Sequence, residues 1–286
     1  MLTVLFDGIA YGMLLFILSC GLAVTLGLMN FVNLAHGAFA MAGGYVTAVS
    51  MNRAGMPFLL CLPLAFLAAA ALGVVLERTL YVRLYGKSHL DQVLFSIGLV
   101  FMAMSTVDYL FGAQQQLVEL PAFLTGQIQL LGARLGIYRL FLITVCAVIA
   151  LLLQLVLVRT RFGSQLRASV DDARVARGLG MNVDRIFALT FAAGSGLAGL
   201  GGALGIQLLS VDPTFPVKYM IYFLIVVTVG GTTSMTGPFL AALLIGVADI
   251  AGKYYLPELG AFMIYSVMVV VLILKPKGLF GQAGAR

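Results

Sequence analysis

Long apolar runs broken by a few polar islands set the pattern of this chain. Runs near the roughly 20 residues that a helix needs to cross a bilayer recur along it. They are Gly8–Met29, Gly37–Ser50, Pro57–Leu76, Val93–Phe111, Tyr138–Val158 and Ile186–Leu209, then Tyr219–Val229, Pro238–Ala251 and Ala261–Leu274. No stretch shows the two-residue alternation of a membrane strand, so the pattern predicts an all-α polytopic membrane protein. The expected architecture is a bundle of about eight to ten transmembrane segments, some of them broken, because several runs are too short to cross unaided. Inverted repeats are a possible organisation, although no residue-by-residue repeat links the two halves.

Composition points the same way. The chain is 62% hydrophobic and 10% charged, with a mean hydropathy of +1.07, whereas soluble domains are roughly half apolar and one quarter charged. Cys20, Cys61 and Cys146 each sit inside an apolar run and are spaced for neither a metal site nor a disulfide framework. Asp7 lies ahead of the first run and no basic segment precedes it, which predicts no cleavable signal.

The largest polar island runs from Arg159 to Arg185 and reads RTRFGSQLRASVDDARVARGLGMNVDR. Arg167 and Asp171 stand four residues apart, and Asp171 and Arg174 three apart, so a short amphipathic helix is expected there. It ends near Gly178 and Gly180 and suits docking of another protein. Placing this island in the cytoplasm and counting crossings puts Arg78, Arg83, Lys87, Lys275, Lys277 and Arg286 on the same side. Only Arg53, Arg134, Arg139, Lys218 and Lys253 then lie outside, as the positive-inside rule requires. The N-terminus is thereby expected outside and the C-terminus inside. The stretch from Gly112 to Gly136 reads as an extracytoplasmic loop with a short hairpin or interfacial element.

Two polar breaks stand out. In the first, Asn30, Asn33 and His36 recur every three residues just before Gly37, so on a helix they would share a face. Such groups at membrane depth either brace helices through hydrogen bonds or line a wet path; both readings stay open. The second, Val229-Gly-Gly-Thr-Thr-Ser-Met-Thr-Gly-Pro238, would end one helix and start another, with Pro238 at the first helical position. Gly/Pro-interrupted short segments are a pointer to a transport site, which makes Gly230, Gly231, Thr232 and Thr233 candidates beside Asn30, Asn33, His36 and Gly37. A third stretch, Gly194–Gly205, places Gly194, Ala198, Gly201, Gly202 and Gly205 on one helical face and predicts close helix packing.

Absences narrow the function. No GxxxxGK[ST] occurs, so no nucleotide site is expected on this chain. With no HExxH, no paired catalytic carboxylates and two histidines, His36 and His89, no catalytic or metal-binding residues are assigned. Asp108 and Asp249 fall near span ends and read as water-facing, whereas a proton-coupled carrier places acids in a deeper relay. Any transport would draw its power from a partner.

At the level of motifs, the chain resembles the permease subunits of branched-chain amino acid ABC importers, specifically the shorter of two paralogous permeases. NFVNLAHGAFAMAGGY at Asn30–Tyr45 is similar to the family's N-terminal signature. TRFGSQLRASVDDARVARGLGMNVDR at Thr160–Arg185 is similar to its cytoplasmic coupling loop. GGTTSMTGPFLAALLIG at Gly230–Gly246 and KPKGLFG at Lys275–Gly281 are similar to its closing motifs, with Lys275-Pro276-Lys277 before the Gly-Leu-Phe-Gly where Arg-Pro is usual. The resemblance implies one permease domain over residues 1–286, with the coupling loop at about 159–185. It implies a bacterial inner-membrane location and partners: a paralogous permease, two ATPase subunits that carry ATP and magnesium, and a periplasmic binding protein. Arg167, Asp171, Asp172, Arg174 and Gly178 would carry the coupling. Urea and short-amide importers share the pattern and remain an alternative substrate class. A stand-alone secondary carrier, a membrane enzyme and a purely structural membrane partner are the competing classes.

Overall fold

The computed structural model describes residues 1–29, 31–130, 132–231 and 234–280. Eleven α-helices occur among them: α1 Leu2–Leu28, α2 His36–Ala54, α3 Phe58–Thr79, α4 His89–Phe111, α5 Ile137–Arg159, α6 Arg161–Asp171, α7 Ala173–Gly178, α8 Val183–Leu209, α9 Phe215–Gly230, α10 Thr236–Tyr255 and α11 Met263–Leu274. Nine of these match the nine apolar runs, and α6 and α7 divide the charged island. The loop after α4 contains an antiparallel hairpin, β1 Gln127–Leu130 and β2 Ala133–Gly136, as expected from the sequence. The protein is an all-α polytopic membrane protein.

Among the described residues, six helices are long and apolar enough to cross a membrane: α1, α3 (with the turn that follows it), α4, α5, α8 and α10. By contrast, α9 has 16 residues and α11 has 12. At 1.5 Å per residue these reach only about 24 and 18 Å, short of the roughly 30 Å hydrocarbon core. The first helix begins at Leu2 rather than Gly8, so Asp7 lies inside it. Its charge is matched by an ion pair with Arg139 of α5.

Burial sorts the helices into a centre and a jacket. Most of α1 and α8 is enclosed, while α4 and α5 are largely exposed and turn Leu94, Phe101, Met102, Leu151 and Leu152 outward. So broad an apolar surface fits a lipid environment and no soluble one. At the centre α8 packs against α1, α2 and α3, and α1 also packs against α10. Missing side chains set the approach. A Cβ at Gly43 of α2 would strike the backbone of Gly199 in α8, and one at Gly246 of α10 would strike Gly12 of α1. Without a strong hydrophobic drive between helices in lipid, such backbone proximity supplies the dispersion energy of association. The face predicted from Gly194 to Gly205 is used in this way. Gly194 abuts Gly21 of α1, Gly202 abuts Ala40 of α2, and Gly205 packs near Leu14 of α1.

The two ends of the bundle differ in charge. One carries α6 and α7, and the turn after α3 joins them, since Tyr85 packs edge-on to Phe187 of α8 at 5.7 Å. The opposite end carries the hairpin loop, tied down by Asn52 and Gln207 side-chain amides donating to the Leu117 and Val118 carbonyls at 2.9 and 2.6 Å. Four cations at this far end have partners. Arg139 meets Asp7, Lys218 meets Asp212, Lys253 meets Asp249, and Arg53 lies over the Phe111 ring.

Candidate functional site

In the first break, residues 31–35 are a non-helical connector leading into α2, so Asn33 and His36 do not share a helical face as their spacing suggested. Asn30 lies outside the described residues. Asn33 is buried, and its Oδ1 accepts from the Ala35 N–H at 3.1 Å and from the Tyr81 hydroxyl at 2.9 Å. Backbone donors of the connector are met from α4. Gln92 Oε1 accepts from the Val32 N–H at 3.0 Å, and Ser96 Oγ accepts from the Leu34 N–H at 3.2 Å. Phe31 stands edge-on to both Tyr81 and Tyr85 at 5.4 Å. Irregular backbone persists at membrane depth only when protein satisfies it in this way.

His36 opens α2 and is buried, with Nε2 2.9 Å from the Leu18 carbonyl of α1. A carbonyl only accepts, so Nε2 carries the proton. The ring faces Phe223 of α9 edge-on at 6.4 Å. A Cβ at Gly37 would come to 3.0 Å from Pro216 of α9. Thus Asn33 and His36 brace neighbouring helices, and neither lines the cavities described below.

The second break ends α9 at Gly230 and restarts as α10 at Thr236. Thr232 and Thr233 lie outside the described residues. Gly231 takes φ of +85°, a left-handed conformation that favours glycine. A Cβ on Gly230 would collide with Gly237 and Pro238 across the turn. Pro238 is the third residue of α10 rather than the first; it is still in the first turn, where a missing N–H leaves no intrahelical bond unmade.

The segment after α11 folds onto this turn, a link that neither motif signals alone. Leu279 N–H donates to the Val229 carbonyl at 2.8 Å, and Phe280 N–H donates to the Gly230 carbonyl at 3.4 Å. Gly278, at φ +84°, passes so close that a Cβ would stand 2.7 Å from Gly231 N. The breaks share one helix: α9 touches the first through Pro216 and Phe223 and ends at the second.

The charged island forms two helices, because Asp172 leaves helical geometry and caps α7. Its Oδ1 accepts from the Arg174 and Val175 N–H groups at 2.9 and 3.0 Å. The helical character expected from Arg167 and Asp171 is present in α6, and Arg167 donates to the Leu157 carbonyl at the end of α5, where a cation suits the helix dipole. Asp171, Arg174 and Gly178 are exposed. So are the apolar Val175 and Leu179, the latter 74% exposed. Beneath them Leu166 is fully buried in a small cluster with Leu157 and Ile186. Met235, which sits between the Gly230–Gly231 break and α10, packs on that same cluster. A physical path therefore runs from the island to the second break.

The residues missed from sequence gather at the opposite end. Asp7 and Tyr11 of α1, Arg139 of α5, Tyr219 and Tyr222 of α9, and Asp249 and Lys253 of α10 line a cavity of about 240 Å³. Asp249 is only 1% exposed, so the water-facing expectation for it fails: its charge is met by Lys253 Nζ at 2.5 Å. An acid within an apolar run was the one available signal. In the adjoining loop, partial burial of Asp212 is outweighed by hydrogen bonds from Lys218 and Thr214, and its carboxyl is held below its ordinary value.

Comparison with known proteins places this architecture. The profile of the family described as "Branched-chain amino acid transport system / permease component" matches residues 4–272. The chain is 26% identical to the high-affinity branched-chain amino acid transport system permease protein BraD of Pseudomonas aeruginosa, over 97% of this chain and 95% of that one. It is 27% identical to the corresponding LivH of Salmonella typhimurium, over 97% and 94%. It is also 28% identical to the permease protein LivM of Escherichia coli, over 93% of this chain and 68% of that one. No solved structure matches.

Proposed function

The chain belongs to the family of branched-chain amino acid transport system permease components, and from that membership we propose that it is the permease subunit of an ABC importer for branched-chain amino acids. The family match over residues 4–272 carries this reading. Similarity to both LivH and LivM supports a paralogous permease as its partner in the membrane. Two ATPase subunits, which hold ATP and magnesium, and a periplasmic binding protein complete the assembly. The island end faces the cytoplasm, the hairpin end faces the periplasm, and the membrane is the bacterial inner one. The excess of Lys and Arg on the island side of the spans supports that orientation.

In this reading α6 and α7 are the coupling element. ATP binding closes the ATPase pair and displaces the island, which offers Val175, Leu179, Arg174 and Asp171 to its partner. Movement passes through Leu166 and its cluster to Met235, and so to the turn at Gly230–Gly231. From there α9 shifts against α2 at Gly37 and His36, and the bundle halves rock between inward-open and outward-open states. Glycines at both breaks let the backbone flex without side-chain collision. The chain itself makes and breaks no covalent bond.

The coupling role is tested in proteoliposomes containing the whole assembly. Reversing Asp171 and Asp172 to Lys, or replacing Gly178 with Pro, is expected to leave ATP hydrolysis running while L-leucine uptake falls at least ten-fold. Unchanged uptake at equal membrane abundance refutes the role.

A further inference from the structure

The cavity at the hairpin end combines features that the permease reading does not use. It presents two acids, Asp7 and Asp249, and two bases, Arg139 and Lys253, from three different helices. Their charges cancel. A cation or an anion entering alone would upset that balance in a partly desolvated space, whereas a zwitterion preserves it and finds both signs waiting. The volume of about 240 Å³ is just under the roughly 300 Å³ at which drug-sized pockets begin, so the occupant is small.

Hydrogen-bonding capacity is left over for such an occupant. An ionised carboxylate offers about four acceptor sites and an ammonium three donors. Among the described residues Asp249, almost wholly buried, accepts one side-chain hydrogen bond, that from Lys253. Lys253 Nζ also lies 5.7 Å from the centre of the Tyr11 ring, and Tyr219 and Tyr222 complete an aromatic wall. Aromatic faces attract ammonium groups. The remaining wall is aliphatic: Ala10, Leu208, Leu209 and Ile250. Asp249 stands six residues before the end of α10, about 9 Å along the helix, which puts the cavity within reach of the surface. Asp7, Arg139 and Leu208 also line a second cavity of about 660 Å³ under the hairpin, which supplies an approach.

We infer that this cavity is a binding site for a zwitterionic α-amino acid. The ligand's ammonium is received by Asp249 and Asp7 among the tyrosine rings, its carboxylate by Lys253 and Arg139, and its side chain by the aliphatic wall. The site deepens the permease reading, on which its place in the transport path rests: it would hold the substrate on the face where a binding protein releases it.

The test uses the full-length chain in lipid nanodiscs, with Thr3, which lines the approach cavity one turn before Asp7, changed to Cys as a reporter; the native cysteines are all buried. L-Leucine is expected to slow labelling of that cysteine by a charged thiol reagent at least ten-fold. 3-Methylbutylamine, which lacks the carboxylate, 4-methylpentanoate, which lacks the ammonium, and urea should give little protection. Asp249→Asn should abolish protection by leucine. Because the ligand series needs no charge variant, it stands even if Asp249→Asn fails to fold. Equal protection by either singly charged analogue, or none by any zwitterionic amino acid, overturns the assignment. ATP-driven uptake by the assembled transporter is read separately. Uptake without protection removes the cavity site and keeps the permease reading; protection without uptake does the reverse.

Discussion

Truncating Leu166 to Ala isolates the joint between the island and the bundle. Leu166 is fully buried in α6 and packs with Leu157 of α5 and Ile186 of α8. Leucine-to-alanine changes at buried sites cost about 2–5 kcal/mol, the low end applying where neighbours collapse into the gap. This cluster is small and edged by the half-buried Phe162, Val170 and Met235, so partial collapse favours a cost of about 2 kcal/mol. That energy falls on local docking of α6, not on the main core, which is a separate cluster. Since about 1.4 kcal/mol is a factor of ten, the opened state of α6 should become roughly 30-fold more populated. Hydrogen exchange reads this directly: amides of α6 should exchange about 30-fold faster, while α1 and α8 keep their protection. In the reconstituted assembly the amino acid moved per ATP hydrolysed should fall. Unchanged exchange in α6 would refute the docking argument, and faster exchange with unchanged coupling would refute the lever.

Other outcomes follow from the same packing. Gly43→Ala should strongly reduce thermal stability and folded yield, because its methyl group meets the Gly199 backbone, whereas Gly98→Ala on an open face of α4 should be neutral or stabilise by up to about 1 kcal/mol; thermal unfolding in detergent ranks the two. Asn33→Ala leaves the buried Tyr81 hydroxyl without its acceptor and should cost about 1–3 kcal/mol, more than Tyr81→Phe, after which Asn33 still accepts from Ala35. A double-mutant cycle measures that coupling. Asp212, held below its ordinary value of 3.8, favours the folded state while ionised. Its contribution is present above that value and disappears as pH falls through the lower folded value. The unfolding temperature of Asp212→Asn should therefore decline less steeply below pH 4 than that of the parent.

Much of the fold is legible in local pattern. Nine apolar runs become nine helices because each must satisfy its own backbone in lipid. The Gly194–Gly205 face is read correctly because small residues at helical spacing have one common use. The candidate sites are legible only in part. Spacing put Asn33 and His36 on a helix, yet the connector is irregular, since its donors are met by Gln92 and Ser96 some 60 residues away. Nothing local encodes that rescue. The single short helix expected in the island is two for a related reason: Asp172 leaves helical geometry to cap α7. The charged cavity is assembled from α1, α5, α8, α9 and α10, and each of its ions looks in isolation like an ordinary span-end residue. Docking of the Gly278–Phe280 segment on Gly230 likewise joins two motifs that are distant in the chain.

The central claim is that this chain supplies a path and a lever, while partner ATPases supply the energy. Concentrative L-leucine uptake into proteoliposomes measures this most directly, with the chain reconstituted alone and then with the paralogous permease, both ATPases and the binding protein. The account predicts uptake only in the complete assembly and only with hydrolysable ATP on the ATPase side. Concentrative uptake by the chain alone under an ion gradient would contradict it.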